Sequence, residues 1–149
     1  MRVRSSNNNV KGLVCLDPLR NIYRLRWDFS NGSYEEVELK YKPSKEDIQS
    51  IIEDYYNKQT EENIINGFSY KGNKVYLSRD NQLNYLLFSN STIFPINVKF
   101  GTSDNPIYYT FETKDEMITF VNKIANHIST CLQDGWNKKK NIDWNLYKL

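Results

Sequence analysis

The chain of 149 residues has little of the chemistry on which metal and redox sites depend, with one histidine and two cysteines. One histidine cannot supply a histidine-rich metal site, and Cys15 and Cys131 form no C-x-x-C pair. No apolar run approaches the roughly 18 residues of a membrane span, and no apolar signal segment follows the opening MRVR. We therefore expect no cofactor, no metal, no membrane partner and a reducing compartment.

Catalytic signatures are also missing. The sequence has no Walker loop, G-x-G-x-x-G fingerprint, H-E-x-x-H, G-x-S-x-G or EF-hand loop. Adjacent carboxylates occur, but most fall at predicted helix starts or on solvated faces. General acid–base chemistry would need carboxylates from separate elements in one cleft. The sequence therefore predicts a protein that is not an enzyme and has no small-molecule substrate.

The two cysteines are predicted to be structural. His127 lies four residues before Cys131, a spacing that places both on one helix face. A thiol nucleophile would also need a third group to orient its base, and none is identifiable. Cys131 falls on the apolar stripe of a predicted helix, and Cys15 falls in an apolar run. We therefore predict two buried thiols and not a catalytic pair.

Charge is nearly balanced, because the chain has 20 Lys and Arg residues and 18 Asp and Glu residues. The net charge is therefore +2. The isoelectric point of about 8.4 is below the value of about 9 that is typical of nucleic-acid-binding domains. The basic run at residues 138–140 has no interleaved aromatic rings on which bases could stack. We expect no nucleic-acid partner. Hydrophobic residues at 39% and aromatic residues at 14% indicate a globular core.

Alternating apolar and polar residues between positions 23 and 41 predict a first β-hairpin with Gly32 in its turn. A two-residue turn would pair Trp27 with Glu36 and mix the two faces of the sheet. A three-residue loop ending at Gly32 instead pairs Arg26 with Glu36 and sets apolar residues opposite one another. Because turn chemistry, charge and apolar matching then agree, we predict the second register.

Three helices are predicted from capping residues and apolar periodicity, near residues 44–57, 79–89 and 114–133. A short separate turn follows the first helix and ends at Gly67, where we expect a left-handed C-cap. The second helix carries an apolar stripe of Leu83, Leu86 and Leu87. The third helix is expected to stop at Gly135.

Two further hairpins alternate with these helices. In one of them, a two-residue turn at Gly72-Asn73 would pair Tyr70 with Val75 and Phe68 with Leu77. The other joins alternating segments around residues 96–100 and 107–111 through a polar loop. The predicted fold class is α+β, with antiparallel β-hairpins and three helices packed on the sheet.

No proline- or glycine-rich linker divides the chain. We therefore predict a flexible N-terminal arm over residues 1–10 and a single α+β domain over residues 11–149. This domain includes a polar C-terminal segment, residues 136–149.

Short motifs spread over most of the chain carry a resemblance to a known family. The motifs are Tyr23–Asp28, Ile65–Tyr70, Val75–Ser78, Asn81–Tyr85, Val98–Thr102, Tyr108–Thr113 and the segment from Asp134 to Trp144. In these motifs the sequence resembles a small uncharacterised domain family of tailed phages and prophages of Bacteroidales-type bacteria. Domains of this kind recur in tail, tail-fibre and tail-assembly proteins. The resemblance implies no catalytic residue.

The resemblance implies a non-enzymatic structural or adaptor protein of the phage virion, associated with the tail, the connector or the fibres. Its partners would be other virion proteins, and it would be present in several copies. The expected localisation is the virion, after synthesis in the host bacterial cytoplasm. A tail-fibre assembly chaperone is one alternative function, and a small intracellular enzyme or host-directed effector is another.

Three aromatic residues of the C-terminal segment are candidates for partner binding, namely Trp136, Trp144 and Tyr147. Large aromatic side chains are frequent anchors of protein interfaces. Two interpretations remain open at this stage. The rings fold back and close the core of the domain, or the segment docks on a neighbouring subunit, together with the 1–10 arm.

Overall fold

A computed structural model of the protein describes residues 1–4 and 10–148, and it confirms the α+β class. Eight strands and three helices follow one another in the described chain, with a final 3₁₀ turn at Trp144–Tyr147. The strands are β1 (Arg2–Arg4), β2 (Leu13–Asp17), β3 (Ile22–Ser30), β4 (Ser33–Leu39), β5 (Phe68–Tyr70), β6 (Asn73–Val75), β7 (Ile96–Lys99) and β8 (Tyr108–Phe111). The helices are α1 (Lys45–Asn66), α2 (Arg79–Ser89) and α3 (Lys114–Lys140).

The chain forms two compact units. The first unit comprises Met1–Tyr56 and the segment from Lys139 onward, and the second unit is Asn57–Lys138. Each has its own buried core. The expectation of a single domain over residues 11–149 stays a prediction.

The first unit contains an antiparallel sheet in the order β1-β4-β3-β2. Its central hairpin has the predicted register, because Arg26 lies opposite Glu36. The predicted three-residue loop is wrong. Asn31 and Gly32 form a two-residue turn with φ of 49° and 75°, and the register shifts by one residue between Trp27 and Ser30. The extra residue therefore lies in a β-bulge between Trp27 and Ser30, and Ser30, which was predicted to be in the loop, pairs with Ser33.

The predicted flexible arm is wrong for residues 2–4, which form the edge strand β1 antiparallel to β4. Arg2 holds this strand in place, since its guanidinium forms ion pairs with Asp28 and with Glu35 at 3.4 Å. The N-terminal ammonium of Met1 lies 3.0 Å from a carboxylate oxygen of Glu35. Residues 5–9 of the predicted arm lie outside the described residues.

The core of the first unit forms where the start of α1 packs on the sheet. Ser44 caps this helix, because Ser44 Oγ accepts from the Asp47 N–H at 3.0 Å and Asp47 Oδ2 accepts from the Ser44 N–H at 2.9 Å. The buried core residues are Leu13, Tyr23, Leu25, Trp27, Leu39, Ile48, Ile52 and Tyr56.

Helix α1 is longer than predicted, because the separate turn expected over residues 60–66 is part of it. No glycine or proline interrupts residues 45–66, so nothing in the backbone ends the helix earlier. Gly67 follows the helix without the expected left-handed φ. A Cβ at Gly67 would lie 2.4 Å from the Asn63 carbonyl oxygen, so close approach explains the glycine.

The β5–β6 hairpin corrects the predicted register. Phe68 pairs with Val75 and Tyr70 with Asn73, so the turn residues are Lys71 and Gly72. Both have positive φ, 47° and 79°, as a type I′ turn requires, and such turns favour glycine at the second position. The predicted hairpin around residues 96–111 is confirmed, and in it Val98 lies opposite Tyr109.

Helix α2 has the predicted bounds. Helix α3 was predicted to end near residue 133, but it continues to Lys140. Gly135 is therefore not a stop. It is buried inside α3, and a Cβ there would lie 2.2 Å from Thr60 Oγ1. The glycine allows the last turns of α3 to approach α1 closely within the second unit. The core of this unit is Phe68, Tyr70, Val75, Leu77, Tyr85, Val98, Phe100, Phe111, Met117, Phe120 and Ile124.

Candidate interaction surface

Two of the three candidate partner-binding residues lie against the core of their own unit. Trp144 and Tyr147 pack on the apolar core of the first unit. The Tyr147 hydroxyl donates to the Arg26 carbonyl at 2.7 Å, and burial raises the pKa of this phenol. A Cβ at Gly12 would lie 2.5 Å from the Tyr147 ring. In this structure these two rings close the core.

Trp136 is the third candidate, and it has a different environment. It lies in α3 with 52% of its surface exposed. Its neighbour Gly135 is buried, so the two residues lie on different faces of the helix. Of the three candidate aromatic residues, Trp136 therefore remains accessible to a partner.

His127 and Cys131 lie together but are poorly arranged for nucleophilic chemistry. The Cys131 sulfur is 3.8 Å from His127 Nε2 and 4.0 Å from Nδ1. His127 Nε2 lies 3.1 Å from the carbonyl oxygens of Asn63 and Ile64, so this nitrogen serves as a donor to the backbone. Burial, with Asp134 nearby, raises the pKa of the Cys131 thiol. The thiolate that such chemistry needs is therefore disfavoured.

The prediction of two buried thiols is wrong. Cys15 is exposed and Cys131 is only half-buried. Cys15 lies on β2, an edge strand of the first sheet, in which Leu13 is buried and Cys15 is exposed. The apolar run around Cys15 predicted burial but could not show how far along the strand the core extends.

Helix α2 presents its leucines to solvent, contrary to the usual burial of an apolar stripe. Leu83, Leu86 and Leu87 are 55%, 53% and 58% exposed. They lie at i, i+3 and i+4 and so form one continuous face. We define these three residues as the α2 leucine face.

The opposite side of α2 contacts the core through aromatic and amide side chains. Tyr85 is 2% exposed, and its hydroxyl donates to the Lys99 carbonyl at 2.6 Å. Asn81 Nδ2 and Gln82 Nε2 donate to the carbonyls of Tyr76 and Leu77, each at 2.8 Å. These bonds fix the rotation of α2 about its axis, so the leucines point outward.

The sequence around the α2 leucine face has no charged residue from position 81 to position 98. At the chain's average of 26% charged residues, a segment of this length would hold about four or five. Asn84 and Asn90 are exposed on α2 and at its C-cap, and Ile93 is 78% exposed in the loop that follows. Depletion of charge together with exposed apolar residues is the compositional signal of an interface core.

A shallow groove of about 260 Å³ lies on the first unit. Its walls are Lys45, Ile48, Trp144, Tyr147 and Lys148. A second groove of about 250 Å³ lies on the second unit beside Tyr76 and Gly101. Residues 1–4 and 10–148 contain no group of three or more metal-ligating side chains. Within the same ranges no helix is long and apolar enough to cross a membrane.

Comparison with known proteins gives no match: no protein-family model, no curated protein and no solved structure is similar to this chain.

Proposed function

We propose that the chain is a non-enzymatic structural or adaptor protein of a phage virion, bound to the tail, the connector or the fibres. The observation that carries this proposal is the α2 leucine face, an exposed apolar helix surface inside an uncharged segment. The resemblance to phage domains supports the same function. The partners would be other virion proteins, held by burial of the leucines.

The α2 leucine face has the energetic properties of a contact surface. Complete burial of one leucine side chain contributes on the order of 1.5–3 kcal/mol. All three leucines are more than half exposed, so a partner would remove much of this apolar area from water. Patches of this kind on monomeric proteins are frequently functional.

The alternative function, a tail-fibre assembly chaperone, uses the same surface for a temporary contact. A virion component stays in the mature particle, whereas a chaperone leaves before maturation. The enzyme alternative receives less support, because the raised pKa of the Cys131 thiol opposes nucleophilic chemistry.

Quantitative mass spectrometry separates these functions. Particles of the phage or prophage that encodes the chain are purified by density gradient and compared with the infected-cell lysate. A structural component is expected at a fixed ratio to the major tail proteins. A chain present in the lysate but absent from particles would contradict the proposal and favour the chaperone.

A further inference from the structure

The groove on the first unit combines an apolar lining with two positive side chains. Its apolar lining consists of Ile48, which is 4% exposed, and the half-buried rings of Trp144 and Tyr147. Lys45 and Lys148 supply the rest of the lining, and both are exposed. We call this site the lysine-flanked groove.

The aromatic part of the groove is held in place by contacts within the first unit. The Tyr147 hydroxyl donates to the Arg26 carbonyl at 2.7 Å, and the centroids of the Trp144 and Tyr147 rings are 5.9 Å apart. Asp143 caps the 3₁₀ turn that carries both rings, because its Oδ1 accepts from the Asn145 N–H at 3.1 Å. The groove is therefore pre-formed, and little ordering of these side chains opposes binding.

The two lysines of the groove have no counterion in the described chain. Neither forms an ion pair with any other residue of 1–4 or 10–148. The acidic residues nearest to them in sequence, Glu46, Asp47 and Asp143, do not line the groove. The carboxylates of Asp47 and Asp143 accept from the backbone N–H groups of Ser44 and Asn145. An anionic occupant would therefore be attracted by both lysines without displacing an existing ion pair, whereas a cationic occupant would be repelled.

The size of the groove indicates how much of a partner enters it. Its volume of about 260 Å³ is below the range of roughly 300–1,000 Å³ that is typical of small-molecule pockets. A groove of this size suits one bulky side chain, and the anchor residues of protein interfaces commonly fill pockets of this kind. Because Ile48, Trp144 and Tyr147 line the groove, the entering side chain is apolar. Negative charge then belongs on the neighbouring residues of the partner.

We propose that the lysine-flanked groove binds one apolar side chain of a partner protein, in a segment that carries acidic residues next to that side chain. The inference goes beyond the proposed function, because it concerns the first unit and does not rest on the α2 leucine face. Burial of the apolar side chain supplies affinity, and the two lysines select acidic over basic segments.

Titration calorimetry of the purified full-length chain with synthetic pentapeptides tests the inference. Each peptide has a central phenylalanine or leucine, flanked on both sides by acidic, neutral or basic residues. The acidic peptides are expected to bind at least about tenfold more tightly than the neutral ones, with an affinity that falls as ionic strength rises. A central alanine should weaken the acidic peptides to a similar extent. Equal affinities for acidic and neutral peptides, or for apolar and alanine centres, would overturn the inference.

Charge-reversal variants locate the site. K45E/K148E is expected to lose at least about tenfold in affinity for the acidic peptides and to gain affinity for the basic ones. The matched control is K40E/K58E, which makes the same change in net charge at two exposed lysines that do not line the groove. It should bind the acidic peptides like the wild type. Retention of acidic-peptide binding by K45E/K148E, or an equal loss in the control, would overturn the inference.

Two further measurements complete the test. Lys45 is the first residue of α1, where the helix dipole favours an acidic side chain, so Lys45→Glu is not expected to lower the melting temperature. Lost peptide binding then cannot be assigned to unfolding. N-acetylphenylalanine probes a small carboxylate occupant, and it is expected to bind at least about tenfold more weakly than the acidic peptide with a central phenylalanine. Equal affinities of these two probes would overturn the assignment to a partner protein.

Discussion

The Glu116 carboxylate connects α3 to strand β8 and to the turn between β5 and β6 in the second unit. It accepts from the Tyr109 hydroxyl at 2.5 Å and from the Lys71 ammonium at 3.1 Å. The bond from Tyr109, followed by that from Lys71, lowers the pKa of Glu116 below its ordinary value of 4.5. The carboxylate is therefore better stabilised in the folded state than in the unfolded state.

Stability should consequently fall in acid partly because of this residue. A lowered folded pKa contributes stability above the ordinary value of 4.5, and this contribution is lost as the pH falls through the folded pKa. Glu116→Gln should flatten the decrease of the melting temperature below about pH 4.5. Glu61→Gln, at an exposed position on α1, is the control. Equal acid slopes for Glu116→Gln and the wild type would contradict this role.

Gly135 gives a second prediction at the residue scale. Gly135→Ala should destabilise the protein by about 1–3 kcal/mol, because the new Cβ would lie 2.2 Å from Thr60 Oγ1. Thr60→Ala should restore part of this loss in the double variant, since the atom in conflict is then gone. Urea unfolding of the four proteins forms a double-mutant cycle. Strict additivity of the two substitutions would contradict the proposed close contact.

At the scale of elements, α2 shows what the sequence could and could not predict. Its bounds were predicted from the Ser78 cap and from apolar periodicity. The structure confirms the cap and both ends of the helix. The buried side could not be chosen, because the leucines and the pair Tyr85 and Phe88 each follow helical spacing. Hydrogen bonds from Tyr85 and the amides to distant backbone carbonyls decide the rotation, and these partners are not visible in a local pattern.

The hairpins likewise have features that the sequence could predict and features that it could not. The pairing of Arg26 with Glu36 was predictable because the matching of opposite charges and of apolar residues across the two strands specifies that register, although the turn itself was predicted wrongly. The bulge in β3 was not predictable, since it compensates the turn without changing that pairing. In β5–β6 the predicted register set two apolar pairs opposite one another, whereas the observed register pairs Tyr70 with Asn73 and allows Lys71 and Gly72 to form the turn with positive φ.

Substitutions on the two sides of α2 should differ accordingly. Tyr85→Ala should cost about 3–5 kcal/mol because it empties a buried aromatic position. Leu83→Ser should change monomer stability by no more than about 0.5–1 kcal/mol, since that side chain is exposed. Chemical denaturation at low protein concentration measures both. A larger loss from Leu83→Ser than from Tyr85→Ala would show that the leucines are core residues.

Tyr85 also gives a test in alkali. Burial raises its pKa to about 12, so folding favours the neutral phenol. This contribution is complete below the ordinary value of 10 and is lost as the pH rises toward 12. Tyr85→Phe should therefore show a shallower alkaline decline in stability than the wild type, with the exposed Tyr108→Phe as its control.

At the scale of the whole molecule, the C-terminal segment contributes to folding. Tyr147 contacts residues near the start of the chain, through its ring at Gly12 and its hydroxyl at the Arg26 carbonyl. The sequence marked the aromatic residues of this segment as candidates for partner binding, but it could not show whether they would pack inward or outward. Only Trp136 of the three is more than half exposed.

Tyr147→Ala should therefore lower the stability of the isolated protein by roughly 2 kcal/mol or more, from lost packing and a lost hydrogen bond. Leu146→Ala, in the same 3₁₀ turn but more exposed, is the matched control and should have a much smaller effect. Thermal unfolding measures both. An unchanged melting temperature for Tyr147→Ala, with reduced entry into particles, would instead indicate that the segment is an interface.

The proposed virion function depends on a contact made through the α2 leucine face. The most direct measurement is the copy number of L83K/L87K in purified particles when it replaces the wild-type chain, with Leu19→Lys as the control. We predict that the control enters at the wild-type copy number and that the double variant, folded by circular dichroism, is strongly depleted. Incorporation of the double variant at the full wild-type copy number would contradict the claim.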